Sequence, residues 1–139
     1  MRNAERFAFT AADSKLVEAS FQPYLPIILT YHDRSKTVSG LLDTGATVNV
    51  LPYQAGFDLG AVWDQMSVPV QLTGNLAQFE ARALIVSASV GSFAPVRLVF
   101  AWTQATNVPV LLGQVNFFME FDVCFYRSQL AFEIHPRQA

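Results

Sequence analysis

Apolar residues along this chain come in short runs rich in Val, Ile, Leu and Phe, and Gly, Pro, Asn and Asp interrupt them at close intervals. That punctuation is the signature of many short strands and few helices. It predicts strands near Arg6–Ala11, Leu16–Phe21, Pro26–Tyr31, Thr37–Leu42, Val48–Leu51, Ser67–Thr73, Leu76–Ala88, Val96–Thr103, Val108–Leu111, Phe121–Phe125 and Leu130–Ile134. Helix is expected only as one turn after Pro52 and as a short segment within Gly113–Glu120. No repeat, low-complexity tract or linker divides the sequence, so the pattern reads as one all-β domain over residues 1–139.

Two hairpins have a register that alternation specifies. Gly74-Asn75 is a two-residue turn signal, because both residue types tolerate positive φ. Folding there sets Leu72 opposite Ala77, Val70 opposite Phe79 and Val68 opposite Ala81, with Gln71–Gln78 and Pro69–Glu80 on the other face. A one-residue slip would scramble that sorting. The second hairpin turns near Arg127-Ser128, pairing Phe125 with Leu130, Val123 with Phe132 and Phe121 with Ile134. Arg-Ser is a poor type I′ former, so a four-residue loop of the same face parity fits equally.

Composition narrows the functional classes. The 139 residues are 52% hydrophobic and 14% charged, against about a quarter charged in an average domain. So apolar a chain folds, and it carries more apolar surface than one small domain hides, which favours self-association. A net charge of −2 and scattered Lys and Arg give no footprint for nucleic acid or for an anionic membrane. The longest uncharged stretch, Ala83–Val96, is interrupted by serines, Gly91 and Pro95 and falls short of the ~20 residues that span a bilayer. The first twenty residues hold no apolar segment of the signal-peptide kind and read as an arm of the domain. A single cysteine, Cys124, precludes an internal disulfide and fits a reducing, cytoplasmic setting, where it reads as a buried, inert thiol.

His32 and His135 lie far apart in sequence beside charged or turn residues; both read as solvated, with no ligand-spaced cluster for a metal. Asp122 and Glu133 are expected to face one another across the terminal hairpin, and Trp63 and Trp102 to be core or interface aromatics. The segment that carries chemistry is Leu41-Leu42-Asp43-Thr44-Gly45-Ala46. A carboxylate at the end of a buried strand is costly unless its oxygens are hydrogen-bonded. Gly45 leaves the backbone free to turn its N–H toward that carboxylate, and Thr44 brings a hydroxyl able to tie the loop. By itself Asp-Thr-Gly is a weak signal, equally at home in an Asx-type turn after a strand.

The segment is similar to the active-site signature of the retropepsin-like aspartic proteases. Val110-Leu111-Leu112-Gly113-Gln114-Val115-Asn116-Phe117-Phe118 resembles that family's second hallmark, in which two apolar residues and a glycine lead into a short helix beneath the catalytic loop. The hairpin over 67–81 lies where the family keeps its flap. The resemblance covers roughly Phe21 to Ile134. It implies a closed β-barrel with a flap hairpin and one short C-terminal helix, active as a two-fold homodimer. Asp43 would be catalytic, Thr44, Gly45 and Ala46 would support its loop, and Leu111, Leu112 and Gly113 would be the scaffold beneath. Val70, Leu72, Gly74, Asn75 and Phe79 would meet a peptide or protein substrate, with neither metal nor cofactor required.

Departures from the family pattern are confined to three places. The hairpin holds one glycine, Gly74, and its nearest aromatic residue, Phe79, stands well down the arm; the residue after Gly113 is Gln114 rather than arginine; and the amino-terminal arm is long. The glycine-poor flap keeps open a second reading, a catalytically silent barrel used for interaction or dimerisation. A ligand-binding β-barrel has only the apolar composition in its favour.

Overall fold

The computed structural model describes residues 3–11 and 21–137. In chain order the strands are β1 (Glu5–Ala8), β2 (Thr10–Ala11), β3 (Phe21–Gln22), β4 (Tyr24–Tyr31), β5 (Arg34–Leu42) and β6 (Asn49–Leu51). After α1 (Tyr53–Asp58) come β7 (Ala81–Ser89), β8 (Val96–Thr103), β9 (Val110–Leu112), α2 (Phe117–Glu120), β10 (Phe121–Tyr126) and β11 (Ala131–Pro136). Six of them close a barrel in the order β4-β5-β9-β6-β8-β7, so the chain is all-β in class. Beside it stand a three-stranded sheet, β1-β11-β10, and the short pair β2-β3.

Alternation along the strands sorts the barrel. On β4, Leu25, Ile27 and Leu29 are fully buried while Pro26 and Ile28 face out. Leu84, Val86 and Ala88 of β7 and Leu98, Phe100 and Trp102 of β8 complete the interior, joined by Phe117, Phe121, Phe132 and Ile134 from the helix and terminal sheet. Burial of such side chains contributes about 1.5–3 kcal/mol each against chain entropy. The turn after Pro52 grows into α1, which lies on Trp102: the indole Nε1–H donates to the Tyr53 carbonyl at 3.0 Å.

Several sequence expectations are corrected. The strand expected over Arg6–Ala11 breaks at Phe9, whose N–H donates to Leu130 and whose ring is buried, and the chain then turns to pair with β3. The strand expected at Leu16–Phe21 lies outside the described residues except for Phe21, which opens β3. The terminal hairpin uses the four-residue alternative. Leu130 adopts a left-handed conformation (φ 49°), and Phe125 pairs with Phe132 and Val123 with Ile134. That register sets Asp122 opposite His135 and Glu133 opposite Cys124, so Glu133 meets Arg6 of β1 at 2.8 Å rather than Asp122. His135 is buried rather than solvated, because β11 is the central strand of its sheet; Cys124 is only half-buried.

The flap hairpin also shifts. Val70 N–H donates to Ala81 and Ala83 N–H to Val68, around a bridge between Pro69 and Arg82, two residues from the expected register. Gly74 takes positive φ (+62°) but Asn75 does not; a 3₁₀ turn over Gly74–Leu76 follows, and regular pairing resumes only at Ala81. A shift of two keeps each side chain on its face, so parity survives where register fails.

Candidate active site

The site is built where β5 ends. β5 runs parallel to β9, with Leu41 opposite Leu111 and Leu42 opposite Leu112. The Asp43 N–H extends that ladder by donating to the Leu112 carbonyl at 3.0 Å. The chain then turns tightly: Ala46 N–H donates to the Asp43 carbonyl at 3.0 Å, and Gly45 N–H donates to Asp43 Oδ1 at 2.9 Å. A half-buried carboxylate thus keeps one oxygen fixed by a backbone donor, which satisfies part of its desolvation cost.

The segment after β9 braces this loop from below. Gln114 N–H donates to Ala46 and Val115 N–H to Thr47, at 2.9 and 2.8 Å. The side chain of Gln114 reaches the Thr44 carbonyl at 2.7 Å. The tie on Thr44 is therefore made at its carbonyl, while its side chain is exposed. Gly113 is required by close approach: a Cβ there would lie 2.6 Å from the Val48 carbonyl oxygen and 2.8 Å from that of Ala46. Such distances to backbone leave no room for any larger residue.

Above Asp43 lies a cleft of about 300 Å³. Its floor is Asp43, Gly45, Ala46, Thr47, Val48, Val50 and Leu111; its roof is Gln71 to Gly74 and Leu76 of the flap. The floor is the outward face of β6, β8 and β9, opposite the main core. Val50 and Ala101 on that face are buried by Leu72, with Val70, Leu76, Val108 and Leu111 packed around. Gln71 Nε2 bonds the carbonyls of Leu72 and Ala77, at 2.9 and 3.4 Å, which braces the flap tip from inside.

Of the residues singled out from sequence, Asp43, Gly45, Ala46, Leu72, Gly74 and Leu111 meet in this cleft. Leu112 and Gly113 are buried beneath it, and Val70 packs under the flap. Asn75 and Phe79 are exposed and do not line it; Leu76 takes the apolar place that Phe79 was expected to fill. Sequence reasoning passed over Thr47, Val48, Val50, Gln71 and Thr73, which belong to strands and a loop without a motif of their own. It also passed over Asn49, fully buried among apolar neighbours. The signal for Asn49 was present, since a polar residue in the run Val48-Asn49-Val50-Leu51 must find partners inside.

No protein-family model and no curated protein matches the chain. Among solved structures, a retropepsin-like aspartic protease from Rickettsia conorii superposes with a TM-score of 0.62 at 14% identity, over 94% of this chain and 90% of that one. The EIAV protease, complexed with the inhibitor HBY-793, aligns with a TM-score of 0.49 at 18% identity, over 73% of this chain and 88% of that one. The first of these likenesses shows that the chain has the retropepsin-like fold. Among the described residues, no helix is long and apolar enough to cross a membrane.

Proposed function

We propose that this protein is an aspartic endopeptidase whose active site forms when two copies bring their Asp43 residues together. The observation that carries the reading is the placement of Asp43. It stands at the end of β5 on a loop braced by β9 and Gln114, at the floor of a cleft roofed by a hairpin. The sequence holds one Asp-Thr-Gly, and the chemistry needs two carboxylates. A two-fold pair supplies the second.

Two carboxylates in hydrogen-bonding range cannot both ionise cheaply, so the pair shares one proton. The ionised member takes a proton from a water held between them, and the water oxygen attacks the scissile carbonyl carbon. The protonated member donates to the carbonyl oxygen, giving a neutral tetrahedral diol. Collapse of that diol breaks the C–N bond as the carboxyl that took the water's proton passes it to the departing nitrogen, while the other carboxylate takes a proton from a diol hydroxyl, which restores the shared-proton pair. Substrate would lie extended between floor and flap, held by strand-like hydrogen bonds, with aliphatic side chains against Val48, Val50 and Leu111. The lone cysteine is in keeping with a cytoplasmic setting.

The silent-barrel reading has one observation in its favour. Leu72 is 3% exposed, so the flap is seated on the floor that substrate would occupy. Incubating the purified chain with a peptide library, with Asp43→Asn as control, decides between the two. Cleavage lost in the Asn variant supports the protease. Absence of cleavage across the library and over a range of pH, in a sample verified as dimeric, favours the silent barrel.

A further inference from the structure

Asn49 is fully buried, yet it touches neither the cleft nor Asp43. Its side chain is completely used. Oδ1 accepts from Gly113 N–H at 2.9 Å, and Nδ2 donates to the Val99 carbonyl and to Asn116 Oδ1, each at 3.1 Å. Asn116 Oδ1 also accepts from Val99 N–H at 2.8 Å. One amide pair thus joins β6, β8 and the segment between β9 and α2, with Asn49 and the Gly113 N–H buried at its inner end and Asn116 half-exposed at its outer end. At the buried end an unmet donor costs more than the bond itself contributes.

The joint matters because of what hangs on Gly113. It is the residue packed against the Ala46 and Val48 carbonyls, and it directly precedes the Gln114 and Val115 donors that hold Ala46, Thr47 and Thr44. We infer that Asn49, acting with Asn116, is a positioning residue for Asp43: it fixes the height and direction of the Gly113–Val115 brace, and through it the catalytic loop. This inference rests on the protease reading for its consequence in catalysis, although the mechanical part stands without it. Displacing a reacting group by about 1 Å can cost on the order of a hundredfold in rate.

The test uses three variants, assayed as full chains at temperatures where circular dichroism shows them folded. Asn49→Leu keeps the volume but strands the Gly113 N–H. Asn116→Leu removes the far acceptor at a half-exposed position, and it carries the test should Asn49→Leu not fold. Asn116→Asp keeps that acceptor. Both Leu variants should lose about 10- to 100-fold in kcat with KM within about twofold, since the interaction lost is one that serves the transition state. Asn116→Asp should recover most of the loss. Hydrogen exchange at Gly45, Gln114 and Val115 should quicken in the Leu variants while β4 and β7 stay protected. Unchanged kcat, kcat and KM worsening together, or an Asp variant no better than Leu would overturn the inference. Should the wild type cleave nothing, the protease reading fails, and the exchange data alone decide whether Asn49 holds the loop. Unaltered protection at Gln114 and Gly45 would then refute it.

Discussion

Leu72, at the end of the flap's first arm, is buried against Val50 on the outward face of β6. The contact explains how a hairpin with a single glycine can be seated without a glycine-rich tip: an apolar side chain pins it, and Gln71 stiffens the turn beyond. Truncation to Leu72→Ala removes the pin and leaves Val50 and Ala101 partly bare. A loss of about 2 kcal/mol is expected, at the low end for a leucine because the cluster is small and its edge can collapse. The loss should be local. Amide exchange at Ala77 and Phe79, which close the tip turns, should accelerate while the β7–β8 pairing remains protected. Uniform acceleration across the barrel would show that Leu72 belongs to the global core.

Much of the fold was legible because strand period and burial agree. Asp43 stood out as a carboxylate at the end of an apolar strand, and the flap and the Leu-Leu-Gly segment were picked out by their resemblance to the retropepsin-like pattern. What escaped depends on long-range packing. Gly74-Asn75 looked like a two-residue turn, but drawing Leu72 onto β6 prevents the arms from pairing up to the tip, and a longer turn results. Leu130 in a left-handed conformation has no sequence signal, since leucine is a poor candidate for positive φ. The fixed loop spacing and the burial of Phe132 and Ile134 impose it. His135 looked solvated beside Pro136 and Arg137, but its burial follows from β1 covering β11, which neighbouring residues do not reveal.

Gln114 marks another place where local chemistry and role differ. Its side-chain bond to the Thr44 carbonyl acts alongside two backbone bonds from the same segment. Gln114→Ala should therefore weaken the loop without releasing it, by about 0.5–1.5 kcal/mol as measured by urea denaturation. Gln114→Arg restores a donor of similar reach and should recover most of that stability. An Ala variant as stable as the wild type would show that the contact at 2.7 Å contributes nothing.

Stability should fall in acid partly through Glu5. This carboxyl on β1 accepts from the hydroxyl and the N–H of Ser92, in the turn between β7 and β8. The hydroxyl bond first, and then the backbone bond, hold its pKa below the ordinary 4.5. A depressed folded-state pKa means that the stabilisation is complete above the unfolded value and drains away as pH falls through the lower folded value. Glu5→Gln should therefore lower Tm near neutrality but flatten its slope between about pH 5 and pH 3. Parallel Tm curves for wild type and variant across that window would remove Glu5 from the acid response.

The last expectation concerns association. If each chain supplies half of the site, specific activity should fall on dilution through the dimer dissociation constant, because the monomer fraction rises by mass action. Asp43→Asn preserves shape and removes one carboxylate, so it should abolish hydrolysis while leaving the thermal transition and the sedimentation behaviour unchanged. Mixing wild type with excess Asp43→Asn should then poison activity, since most wild-type chains enter pairs carrying one carboxylate and one amide. Sedimentation velocity and peptide turnover, measured across one dilution series, test the two effects together. Activity that tracks dimer mass and collapses in the mixture fits a shared site. Constant specific activity in a purely monomeric sample, untouched by the added variant, would mean that one Asp43 suffices and that the two-carboxylate mechanism is wrong for this chain.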